Sequence, residues 1–214
     1  MINFSYLNVK FKILILTSTI QYKLKVEIVL SIILGIGLSA ASGFRIFIPF
    51  LILSIAVSSG WVEVNENFSW LSGFPAMISF LAASIIETAG YFNPWMDNML
   101  DTISTPAAIV SGTVLCLAVI NENEFSLKLI LALIFGGGVA VNIQFLTVKA
   151  RSVSSVFTSG MGNQIIAGSE LLLSVLISFA AIFYQIGTFM FISILIVILL
   201  KILKNAKSRL REKF

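Results

Sequence analysis

Four acidic and two basic side chains carry the chemical interest of this sequence: Glu87, Asp97, Asp101 and Glu170, with Arg45 and Arg151. Glu87 stands in Ala83-Ser84-Ile85-Ile86-Glu87-Thr88 and Glu170 in Ala167-Gly168-Ser169-Glu170, each at the margin of a long apolar run. A carboxylate at membrane depth costs several kcal/mol unless it is paired, hydrated or protonated. Such a group therefore binds a proton or cation, or it satisfies an arginine in a purely structural ion pair. Asp97 and Asp101 are four positions apart. On a helix opened by Asn93-Pro94 they share one face. Two aspartates at that spacing are a weak metal pattern, and they are the sequence's metal candidates. The charge-free but polar stretch 152–169 ends at Ser169, beside Glu170. Its hydroxyl and carbonyl oxygens suit a hard cation or a polar solute; a loop outside the bilayer is the alternative.

Much other chemistry is excluded. There is no His, so His-based zinc sites, Ser-His-Asp triads and imidazole relays are absent. The single cysteine, Cys116, sits in an apolar run and reads as a small buried hydrophobe. No residue set points to a catalytic site or to a cofactor.

These side chains must be held by membrane helices. Of 214 residues, 58% are hydrophobic and 11% charged, against about 25% charged in a soluble domain. Residues 67–86, 102–121, 129–148 and 171–200 carry no charge at all, and a crossing helix needs about 20 apolar residues. The expected fold is all-α, a polytopic helical membrane bundle with spans near 74–91, 106–121, 127–147, 164–184 and 188–203. The apolar run 26–59 is too long for one crossing and is expected to break at Ser42-Gly43-Phe44-Arg45, ahead of Pro49. Six crossings follow if its second piece is re-entrant, seven if it crosses twice; the sequence leans to seven. A comparison of 37–60 with 137–160 matches Gly37/Gly137, Ala40/Ala140, Ser54/Ser154, Ser59/Ser159 and Gly60/Gly160, a faint trace of duplication.

Three regions are expected: a basic extension over 1–25, a transmembrane domain over 26–203 and a basic tail over 204–214. The extension carries Lys10, Lys12, Lys23 and Lys25 around a short apolar patch. It reads as a surface-lying helix, or as sequence ahead of a working start near Val26. Lys201, Lys204, Lys207, Arg209, Arg211 and Lys213 place the C-terminus in the cytoplasm and attract anionic lipid, with no need for nucleic acid. Counting back from that end, Lys149–Arg151 falls in a cytoplasmic loop, and Glu87, Glu170, Asp97 and Asp101 all fall in the cytoplasmic half. Arg45 joins them if there are seven crossings. Ser31, Gly35, Ser39 and Gly43 recur every four residues, a ridge for close helix packing within the chain or in a homo-oligomer.

The stretches Ser42-Gly43-Phe44-Arg45 with Pro49, Pro94-Trp95-Met96-Asp97-Asn98-Met99-Leu100-Asp101, and Lys149-Ala150-Arg151 with Glu170 resemble the bacterial integral-membrane family catalogued as domain of unknown function 4126. The resemblance runs from about Glu27 to Leu203. It implies a multi-pass inner-membrane protein and assigns no activity. The residues themselves point first to a small transporter or channel for a cation, proton or small polar solute, using Glu87, Glu170, Asp97 and Asp101 with Arg45, Arg151 and Ser169. A structural or accessory membrane subunit is the second reading. A magnesium-dependent enzyme on lipid phosphates is the third.

Overall fold

The computed structural model describes residues 4–92, 94–158, 162–185, 187–188, 190–194, 196–198 and 201. The expected last span and the basic tail therefore lie partly or wholly outside the described residues. The described elements are all helical: α1 (Phe4–Ser42), α2 (Phe47–Ser58), α3 (Phe74–Tyr91), α4 (Pro94–Val119), α5 (Phe125–Leu131), α6 (Gly138–Thr158) and α7 (Asn163–Phe183). A 3₁₀ segment, Glu66–Ser72, precedes α3, and a π-helical stretch, Ala132–Gly137, joins α5 to α6 without a break. Five of these helical segments are long and apolar enough to cross a membrane.

α1 is the central strut. Its ridge of small residues meets α4 in antiparallel register. Asn121 N donates to Ser31 Oγ at 3.0 Å, Ser39 Oγ donates to the Gly112 carbonyl at 2.8 Å, and Ser111 Oγ donates to Ser42 Oγ at 3.3 Å. A methyl group placed on Gly35 would lie 2.7 Å from Cys116 Sγ, so the two backbones pass as closely as side chains allow. On another face α1 meets α7, where Ser174 Oγ donates to the Ala41 carbonyl at 3.0 Å. Cys116 is fully buried in this packing.

The apolar run does break where its length requires. α1 closes with Gly43 N on the Ser39 and Ala40 carbonyls, at 3.1 and 3.2 Å. The chain turns at Phe44-Arg45, and α2 starts back with Pro49 in its first turn, where a missing N–H costs nothing. The 12 residues of α2 span only about 18 Å, short of the ~30 Å hydrocarbon core. α2 nevertheless runs to the opposite end of the bundle from Arg45. Beyond it, Asn65 N donates to the Ala118 carbonyl at the end of α4, 2.9 Å away. Gly60, with φ of 71°, makes the turn after α2 in the left-handed region where glycine has no steric penalty.

Two expectations from sequence are corrected. The helix expected to open at Asn93-Pro94 and the span expected near 106–121 are one helix, α4, which passes through Pro106. Proline removes one hydrogen bond from a helix and bends it, yet packing on both sides carries the helix through. Lys149 and Arg151 are not in a loop, because α6 continues to Thr158. The two stretches compared for a repeat take different forms: 43–46 is a turn, whereas 143–146 lies inside α6.

The start of α2 has an unusual stabiliser. Its first free N–H groups, on Ile46 and Phe47, donate to the two oxygens of the Glu87 carboxylate on α3, at 2.8 and 3.1 Å. A carboxylate at a helix N-terminus satisfies orphan donors and meets the positive end of the helix dipole. Glu87→Gln keeps one acceptor and is expected to lower stability by about 1 kcal/mol; Glu87→Leu removes both and is expected to cost about 2 kcal/mol. Thermal unfolding of the purified variants checks the order.

Candidate functional site

Four helices and one turn deliver charge to one end of the bundle. Arg45 comes from the α1–α2 turn, Glu87 and Tyr91 from the last two turns of α3, Asp101 from α4, Arg151 from α6 and Glu170 from α7. Each arrives for a local reason. Arg45 sits where α1 must end. Glu87 and Tyr91 are four apart and share a helix face. Arg151 follows Gln144 and Thr147 along the buried face of α6. Burial is close to complete, with Arg45 0% exposed, Arg151 1%, Glu170 2%, Tyr91 3% and Glu87 7%.

Glu170 is the hub. Arg151 grips it with two nitrogens: Nε donates to Oε1 at 3.1 Å, and Nη2 donates to Oε2. Arg45 Nη2 lies 3.3 Å from Glu170 Oε2 and donates to the Ala167 carbonyl at 2.9 Å. Arg151 Nη1 donates to Asp101 Oδ1 at 2.5 Å. Both guanidiniums also rest on the Tyr91 ring, with Cζ 3.9 Å from its centroid for Arg45 and 4.2 Å for Arg151. The Tyr91 hydroxyl hydrogen-bonds Ser104 Oγ at 2.5 Å, which fixes the ring between α3 and α4. Nε and Nη1 of Arg45 make no hydrogen bond. Three carboxylates against two guanidiniums leave a formal charge of −1.

Glu87, Glu170, Asp101, Arg45 and Arg151 are thus brought together, as their spacing suggested. Ser169 is not: it is exposed, and its Oγ donates to the Ile166 carbonyl of its own helix. Asp97 lies in the first turn of α4, and its side chain is outside the described residues. Lys149 points away from the cluster, with Nζ 4.1 Å from the Phe145 ring centroid. Tyr91 was not singled out by sequence reasoning; its place four residues after Glu87, at the end of the same span, was the available signal. Among the described residues no group of three His, Cys, Asp or Glu side chains is placed to hold a metal ion. Asp101, one of the two metal candidates, faces an arginine, which competes with a divalent cation.

Long apolar helices around a buried charge cluster define an integral, multi-pass membrane protein of the helical-bundle class. Residues 32–205, a span that contains the whole cluster, match the family described as Domain of unknown function (DUF4126), and the chain belongs to that family. No curated protein and no solved structure matches the chain.

Proposed function

We propose that this protein is a small carrier for a proton or cation, and that the cluster around Glu170 is its transport site. One observation carries the reading: four ionisable side chains, Arg45, Glu87, Arg151 and Glu170, are buried together at one end of a membrane bundle, at a helix break, with the half-buried Asp101 beside them. Buried ion pairs are poor stabilisers, because desolvation offsets most of their attraction. Ionisable groups at membrane depth, grouped at a discontinuous helix, are the usual marks of an ion pathway. In this reading a proton or cation reaching Glu170 takes the place of an arginine. The displaced arginine keeps a second acceptor, Asp101 for Arg151 and the Ala167 carbonyl for Arg45. Neutralising Glu87 in turn frees the N-terminus of α2, the short helix able to shift.

We place the cluster on the cytoplasmic side of a bacterial inner membrane. Six basic residues in the C-terminal stretch support this orientation, and anionic lipid headgroups are their natural partners.

A structural or accessory role is the second reading. It is favoured by the fact that Glu87, Asp101 and Glu170 each already have a protein partner. Flux separates the two. Wild-type protein in proteoliposomes is expected to move protons or one of a panel of monovalent cations, with Glu170→Gln and Glu87→Gln at least about tenfold slower at equal folded protein, as befits groups that meet the ion directly. No flux by the wild type across the panel, or unchanged flux in both variants, contradicts the carrier reading.

A further inference from the structure

The end of the bundle opposite the charge cluster holds a cavity of about 420 Å³. Its walls come from α1, the turn after α2, the end of α4 and the end of α7. Two carboxylates, Glu27 and Glu63, face it, with the amides Asn65, Asn121 and Gln185 and the indole of Trp61; aliphatic side chains of α1, α4 and α7 form the floor. Among the described residues no Lys or Arg lines it. Lys23, one turn before Glu27, is outside the lining.

We propose that this cavity binds an organic ammonium ion. The two carboxylates set the sign of the charge and repel anions. The volume is that of a small-molecule site and far exceeds a bare metal ion. Among the described residues there is no set of three metal-ligating side chains. Trp61 supplies the ring face on which alkylammonium groups settle, and its ring is held by Phe183, 5.4 Å between centroids. The aliphatic floor accepts the alkyl part, and the amides bond N–H or O–H groups. The site gives the carrier reading a substrate class and rests on that reading for its place in transport; the binding itself does not. Ser31, at the cavity, begins the ridge of small residues on α1 that ends at Gly43, beside the charge cluster.

The test is equilibrium titration of the full chain in nanodiscs with choline and with its neutral tert-butyl isostere, read by calorimetry and by tryptophan emission. Choline is expected to bind saturably and the isostere not. Glu27→Gln and Glu63→Gln are each expected to weaken choline about fivefold, the range of an exposed ion pair, and Trp61→Leu about threefold. All three side chains are exposed, so folding survives, which an unchanged melting curve verifies. Glu170→Gln, at the other end, is expected to bind choline as the wild type does, so loss of flux and loss of binding report on different claims. The proposal is overturned if choline does not saturate, if the isostere binds equally, if sodium competes at equal concentration, or if the double variant Glu27→Gln, Glu63→Gln binds as the wild type does.

Discussion

Arg151→Gln is expected to lower the unfolding free energy of the bundle by about 3–5 kcal/mol, the cost of removing one partner from a buried ion pair. Arg151 is 1% exposed and serves Glu170 and Asp101 at once. Its loss leaves Glu170 with only the 3.3 Å contact to Arg45 and Asp101 without the Nη1 donor. The amide of Gln is shorter and neutral, so it reaches neither carboxylate with charge. Arg151→Lys is expected to recover only part of the loss, because an ammonium cannot offer the two parallel N–H groups that Glu170 accepts. Unfolding in mixed micelles, followed by circular dichroism, gives both values. An Arg151→Gln protein as stable as the wild type would mean that the ion pairs do not form.

Gly112→Leu is expected to be about as damaging, by a different route. A methyl group on Gly112 would already lie 2.6 Å from the Gly136 carbonyl oxygen and 2.6 Å from the Ala140 side chain. Both neighbours belong to the continuous helical segment through the π stretch, and one contact is backbone, which cannot rotate away. Without a hydrophobic drive between helices in lipid, such close approach is itself the source of association. Gly112→Ala is expected to cost about 1–2 kcal/mol and Gly112→Leu about 3 kcal/mol or more, with α4 pushed off α6. The measurement is the same unfolding curve, with membrane yield as a second readout; equal stability of all three proteins contradicts this packing.

Much of this arrangement was legible in the sequence, and the reasons are physical. The 26–59 run exceeds what one crossing can hold, so a break was required, and Ser42-Gly43 with Pro49 marked its place. Helices that alternate direction put Glu87, late in one span, at the same end as Glu170, early in another; that follows from chain order alone. What could not be read were the partners. Arg151 looks like a loop residue until Glu170, nineteen positions later, neutralises it and lets α6 continue. Glu87 shows no partner in the sequence, and the α2 amides that donate to it lie about forty positions earlier. Pro106 looked like a helix start because sequence shows the missing hydrogen bond but not the neighbours that make it tolerable. Long-range pairing decides each of these cases, and periodicity carries no record of it.

The central claim is that the buried arginines and carboxylates act as one network at the helix break. A double-mutant cycle on Arg151 and Glu170 tests it most directly: wild type, Arg151→Gln, Glu170→Gln and the double variant, unfolded under one condition. The predicted result is that each single variant is strongly destabilised and the double variant regains part of the loss, with a coupling free energy of about 2 kcal/mol or more. Additive losses, with coupling within about 0.5 kcal/mol of zero, would contradict the network.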